Sequence, residues 1–247
     1  MKLISKNKRN RWIMGSILLL VIIFTVGCVI YINDYYHADV NAMETMVSER
    51  EIEGITLEDG KIIWEPEGAE KGLIFYPGGK VEYTAYVPLM QACAEQNILC
   101  VLVEMPFHLA VLDQNAADGI QENYPEIQEW YIGGHSLGGA MAASYLADHT
   151  DQYAGLLLLG AYATEDLSQT NLKTLSVFGS EDHVMNREKY DNNRENLPEN
   201  FTEKIIEGGC HAYFGVYGPQ EGDGIPTISN EQQIRDTAAA ISEWMNP

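Results

Sequence analysis

The chain has 247 residues, with 36 acidic against 15 basic side chains and a formal charge of −21. Residues 1–32 hold five of the bases (Lys2, Lys6, Lys8, Arg9 and Arg11) and no acid, so the remainder carries 10 − 36 = −26. That acidity argues against nucleic acid as a partner and against a domain lying flat on an anionic membrane, while naming no substrate.

Residues 1–11 form a basic N-terminus, expected to stay in the cytoplasm, and Trp12–Ile32 has no charged residue. An apolar run of that length matches a bilayer core when helical, and the basic flank predicts export of the chain beyond Asn33. Residues 12–32 therefore read as a transmembrane signal anchor, with the remainder outside the cytoplasm. A buried core helix is one competing reading, set aside because nothing upstream could cover it; two others are a cleaved secretory signal, and a lipoprotein signal in which Thr25-Val26-Gly27-Cys28 is lipidated at Cys28. Against them, no A-x-A-like site comes after the run, and Val29, Ile30 and Tyr31 keep the chain apolar beyond the cysteine.

Residues 33–50 are polar and mixed and read as a stalk. The domain occupies residues 51–247, about 200 residues, enough for one hydrophobic core. Glu51–Leu57 and Lys61–Glu65 flank Glu58-Asp59-Gly60, an Asp-Gly hairpin signal. The pattern then alternates: strand Gly72–Tyr76, helix Tyr83–Gln96, strand Ile98–Val103, helix Ala110–Asn123, strand Glu129–Ile132 and helix Leu137–His149. Strands Ala154–Leu159, Thr174–Phe178 and Phe201–Ile206 and a closing helix Glu231–Met245 complete it. Alternation of this kind implies an α/β fold, a mostly parallel sheet with helices on both faces. The Gly160–Lys173 connection is too short for a large lid.

Gly134-His135-Ser136-Leu137-Gly138 has the G-x-S-x-G spacing. The pattern is weak alone, but here it comes after a strand and opens a helix, the context that lifts a serine hydroxyl above a sheet on a strained turn. Ser136 is thus the candidate nucleophile, and it needs a base. An acid and then a histidine should come later in the chain. Asp182 stands just after Thr174–Phe178, and His211 lies in Gly208-Gly209-Cys210-His211 after the last strand. His135 also adjoins the serine, but neighbouring side chains on a tight turn diverge, which makes it a packing or orienting residue. His183 is a rival base, Glu181 and Glu165 rival acids, and Cys210 an unsupported rival nucleophile.

An oxyanion hole needs two backbone N–H groups. One should come from Leu137 and the other from Pro77-Gly78-Gly79-Lys80. Pro77 has no N–H, which leaves Gly79 as the donor and Lys80 in reserve. Cys28, Cys93, Cys100 and Cys210 have no metal-ligand spacing, so neither metal nor cofactor is expected. Cys93 and Cys100 stand where a helix end and the next strand start can approach, as a disulfide or as two buried thiols.

Four stretches resemble the bacterial α/β-hydrolases related to dienelactone (carboxymethylenebutenolide) hydrolase. They are Tyr76-Pro77-Gly78-Gly79-Lys80-Val81, Gly133 to Ala140, Gly179-Ser180-Glu181-Asp182, and Gly208 to Gly215, extended by Tyr217 to Gly224. The resemblance implies the α/β-hydrolase fold, a Ser136–Asp182–His211 triad, hydrolysis and no metal. Dienelactone hydrolases carry cysteine where this chain has Ser136, which favours an ordinary small-molecule or envelope ester as substrate.

Overall fold

The computed structural model describes residues 6–46, 54–199 and 201–246. Contacts divide the chain into Met1–Tyr35 and Tyr36–Pro247. In the first unit, helix α1 runs from Lys6 to Asn33. Its stretch Asn10–Asn33, with mean hydropathy 2.9, is long and apolar enough to cross a membrane by length and composition.

The second unit is built on eight strands: β1 Ile55–Glu58, β2 Lys61–Trp64, β3 Lys71–Tyr76, β4 Ile98–Val103, β5 Glu129–His135, β6 Gly155–Leu159, β7 Lys173–Gly179 and β8 Thr202–Ile206. Their spatial order is β1-β2-β4-β3-β5-β6-β7-β8. Glu58 pairs with Lys61 across the two-residue Asp59-Gly60 loop. Both loop residues have positive φ, 45° and 72°, the geometry that matches the twist of a tight hairpin. From β4 to β8 the pairs are parallel, so these strands deliver their carboxyl ends to one edge.

Alternation along the strands feeds two cores. Leu73 and Phe75 join one with α3 (Val87–Ala94) and α6 (Asn230–Met245). Ile74 and Tyr76 join the other, on the opposite face, with α4 (Leu137–Ala147). Period-2 side-chain direction in a strand buried on both faces explains this division.

Two expectations fail. Residues 110–123 are not one helix: short 3-10 turns at Ala110–Leu112 and Gln121–Asn123 bracket irregular chain. The buried Tyr76 hydroxyl donates to the Gln114 carbonyl at 2.7 Å and accepts from Ala117 N–H at 2.9 Å. It thereby engages backbone groups a helix would bond internally, while Asp113, Asn115 and Asp118 favour turns and Gly119 stands at φ 73°.

Within the 33–50 segment read as a stalk, the part from Tyr36 onward belongs to the domain. Tyr36 bridges Val81 in parallel. Tyr36 N–H donates to Lys80 at 2.7 Å, Glu82 N–H to Tyr36 at 2.9 Å and Asp39 N–H to Val216 at 2.8 Å. Helix α2, Val40–Met46, then packs Ala42, Met43 and Met46 on the first core. Its polar composition concealed this, because backbone bonds carry much of the docking. Residues 47–53, including the expected start of the first strand, lie outside the described residues.

Three docking hydrogen bonds and partial burial of two methionines contribute at least about 2 kcal/mol. A chain beginning at Asp34 should therefore melt about 4–8 °C above one beginning at Gly54. Equal midpoints by circular dichroism would show that residues 36–46 add nothing.

Candidate active site

The turn between β5 and α4 carries Ser136 at φ 52°, ψ −120°. A serine before a helix ordinarily caps it from an extended backbone, yet Ser136 makes no capping bond. The positive φ is one that few residues other than glycine adopt. Two glycines make the turn sterically feasible. A Cβ on Gly134 would fall 2.4 Å from Tyr76 O, and one on Gly138 2.3 Å from both Tyr76 O and Pro77 O. Ser136 N–H is bonded to Leu159 O at 2.9 Å, which fastens the turn to β6.

Asp182 comes just after β7. Its Oδ1 accepts N–H bonds from Val184 at 3.0 Å and Met185 at 2.8 Å, and its Oδ2 lies 2.8 Å from His211 Nδ1. Both residues are buried. With Oδ2 accepting from Nδ1, the imidazole proton sits on Nδ1 and Nε2 has the lone pair. His211 Nε2 is buried and has no hydrogen-bond partner. The structure therefore brings Asp182 and His211 together but forms no bond from Nε2 to Ser136 Oγ. Such bonds commonly close only around bound substrate. The His211 ring nevertheless lies against the serine's neighbours, 4.4 Å between centroids from His135.

The loop that carries His211 is gripped from α6. Gln233 Oε1 accepts Cys210 N–H at 2.9 Å and Gln233 Nε2 donates to Cys210 O at 2.8 Å. Gly160, beside the Ser136 turn at φ 52°, is the space the pair occupies. A Cβ there would meet His211 Nδ1 at 2.9 Å and Asp182 Oδ2 at 3.0 Å. Neither Gln233 nor Gly160 belongs to a motif, so the local sequence carries no signal for them.

Gly79 rests on the start of α4, where a Cβ would touch the Leu137 side chain at 2.8 Å. Gly78 N–H donates to Tyr86 Oη at 3.0 Å, and Lys80 N–H to His108 O at 2.8 Å. Lys80 is thus engaged and drops out as the reserve oxyanion donor. The N–H groups of Gly79 and Leu137 have no acceptor among the described residues. Leu137 N–H also opens a helix, where the backbone dipole favours negative charge.

His135, expected to pack or orient, is buried among the site residues. Its Nδ1 lies 2.8 Å from Tyr86 Oη, and that oxygen already accepts from Gly78, so the phenol proton points to the imidazole. Burial, reinforced by the His211 ring, holds His135 well below the ordinary imidazole value and so neutral. Among the rivals, Glu165 and His183 are exposed, and Glu181 accepts the neighbouring Ser180 hydroxyl at 3.0 Å. Burial pushes the Cys210 thiol up to about 12, which removes it as a thiolate nucleophile. Cys93 and Cys100 are buried free thiols. Among the described residues no group of three or more His, Cys, Asp or Glu could hold a metal ion.

The profile of the alpha/beta hydrolase family matches residues 72–235. The chain belongs to that family. It is 29% identical over 112 residues to human monoglyceride lipase, a stretch covering 39% of this chain and 37% of that protein. It resembles the solved structure of dienelactone hydrolase from Anabaena variabilis, with TM-score 0.54 and 14% identity over 75% of this chain and 89% of that one. The monoacylglycerol lipase of Paleococcus ferrophilus superposes with TM-score 0.53 and 12% identity over 70% of this chain and 94% of that one. At such identities the two structural likenesses concern the fold.

The tight fit at Gly160 and the buried neutral imidazole each lead to a measurable outcome. Gly160→Ala should lower kcat at least about 100-fold, because an ångström of displacement at a reacting pair costs that much; wild-type turnover would show that the pair tolerates the methyl. His135, depressed in the folded state against 6.5 when unfolded, contributes full stability above 6.5 that is lost as pH falls below it. Unfolding free energy should therefore decline below pH 6.5 by up to about 1.4 kcal/mol per pH unit, and less steeply in His135→Asn. Identical slopes in denaturant titrations would place the buried proton elsewhere.

Proposed function

We propose that this chain is a membrane-anchored, extracytoplasmic serine hydrolase that cleaves a carboxylic ester through an acyl-enzyme on Ser136. The observation that carries the reading is the buried Asp182–His211 pair, with Nε2 unpartnered, packed on His135 beside the strained strand-to-helix turn of Ser136. His211 Nε2 takes the Ser136 proton as Oγ bonds to the acyl carbon. The developing oxyanion is met by the N–H groups of Gly79 and Leu137. The C–O bond to the alcohol then breaks and the imidazolium returns the proton to that oxygen. Water, deprotonated by the same imidazole, attacks the acyl-enzyme and releases the acid and free Ser136.

An ester with an apolar acyl chain fits the surroundings best. Phe107, Val111 and Leu112 are exposed on the loop after β4. That loop is fastened to the oxyanion loop through Lys80 N–H and His108 O. The likeness to monoglyceride lipase points the same way, and the motif segments and the serine support a dienelactone hydrolase-like branch with ordinary ester chemistry. Thioester cleavage and lipid deacylation would use the same groups. The anchor reading rests on the apolar Asn10–Asn33 stretch and its basic flank, which favour a single span with the domain outside the cytoplasm.

A fluorophosphonate probe should label the protein and spare Ser136→Ala; equal labelling of both would remove Ser136 as nucleophile. Against nitrophenyl esters graded by acyl length, His211→Ala and Asp182→Ala should lose about 10⁴-fold or more in kcat. Near-normal turnover by the His211 variant would move the base elsewhere. Alkaline carbonate should leave the full-length chain in the membrane fraction, and release of a shortened chain would favour cleavage.

A further inference from the structure

Asp182 and His211 stand on two separate loops, one after β7 and one after β8, and both side chains must keep one geometry. A third carboxylate joins those loops. Asp223 Oδ1 accepts N–H bonds from His183 at 3.3 Å, His211 at 3.2 Å and Gly224 at 2.9 Å. Its Oδ2 accepts Ala212 N–H at 2.8 Å. His183 is the residue next to the acid. His211 and Ala212 are the base itself and its neighbour, where the 3-10 turn Ala212–Phe214 begins. The segment carrying Asp223 is wedged on the acid loop as well, since a Cβ on Gly224 would fall 2.1 Å from Glu181 O.

Three of these donors share Oδ1 and the fourth has Oδ2 to itself, and bonds from backbone N–H to an ionised carboxylate are stronger than neutral ones. An amide that keeps its oxygen at the Oδ1 place turns donor hydrogens toward the Ala212 N–H. The four contacts thus call for a carboxylate, and they converge on the backbone at the acid and the base.

We propose that Asp223 is a positioning residue: its carboxylate sets the separation between the acid-bearing and base-bearing loops and so holds His211 Nδ1 on Asp182. The kinetic consequence rests on the serine-hydrolase reading above, whereas the geometric one does not. The bonds of Asp223 go to backbone N–H groups, so it acts on the imidazole through the loop that carries it.

The test uses the full-length protein in detergent with Asp223→Asn and Asp223→Ala. Proton NMR should show the wild-type His211 Nδ1–H far downfield, as expected for a buried bond to a carboxylate, and His211→Ala assigns it. The resonance should weaken in Asp223→Asn and vanish in Asp223→Ala. Hydrolysis of a nitrophenyl ester should fall about 10-fold in kcat for the Asn variant and about 100-fold for the Ala variant, with KM within about twofold; these sizes are those of an ångström-scale misplacement. If Asp223→Ala does not fold, the Asn variant, which retains an acceptor oxygen, decides. A lowered melting temperature with unchanged resonance and kcat would overturn the proposal, as a structural role moves only the first. Loss of the resonance in the variants of a protein that turns over no ester would uphold the positioning and overturn the hydrolase reading instead.

Discussion

The site depends on one strained residue. Ser136 holds a left-handed backbone that costs a non-glycine residue about 1–3 kcal/mol, and the surroundings impose it. Its N–H is fixed to Leu159 on the neighbouring strand. Gly134 and Gly138 let the start of α4 sit against the carbonyls of Tyr76 and Pro77. Relaxing the turn would return the hydroxyl to an ordinary helix-capping position and draw α4 away from the end of β3. The same turn leaves Leu137 N–H at an open helix terminus beside Gly79 and puts His135 against the His211 ring.

Around that turn the two buried imidazoles have separate partners, His211 with Asp182 and His135 with Tyr86. Asp182 is satisfied by two N–H bonds and the imidazole, which offsets the cost of removing a carboxylate from water. The neighbouring His135 is neutral and committed to Tyr86, and Tyr86 in turn holds Gly78. In the proposed mechanism, a second imidazolium at 4.4 Å would oppose the proton His211 accepts, so a neutral His135 favours that role. The Gly78-Gly79 loop and His211 are thereby linked through the side chains of Tyr86 and His135.

Much of this was legible in the chain. Apolar strand runs separated by glycine and proline placed β3, β4 and β6 to within a residue, because buried parallel strands are continuous in Val, Ile and Leu. Asp59-Gly60 announced the hairpin, and Gly134 to Gly138 announced the turn, since both need backbone angles few residues adopt. The order of Asp182 and His211 could be read because each comes after a strand at the carboxyl edge. The failures share a cause. Residues 110–123 have helical spacing, but the Tyr76 hydroxyl engages their backbone from β3. Residues 36–46 are polar, but their backbone pairs with Lys80, Glu82 and Val216. In both, a partner remote in sequence decided the conformation.

By itself, then, the sequence determined the order of strands and motifs, the strained serine turn, the residue types able to act as acid, base and oxyanion donors, and an N-terminal apolar stretch long enough to span a bilayer. These are properties of period, local backbone angle and composition, which depend on neighbours a few residues away. Only the tertiary structure decided which N–H groups remain open, Gly79 and Leu137 and not Lys80. It also showed that Gly160 makes room for the Asp182–His211 pair, and that Gln233 and Asp223 hold the loops on which the pair stands. Those are distances between segments far apart in the chain, and they arise only when the sheet brings its carboxyl ends to one edge.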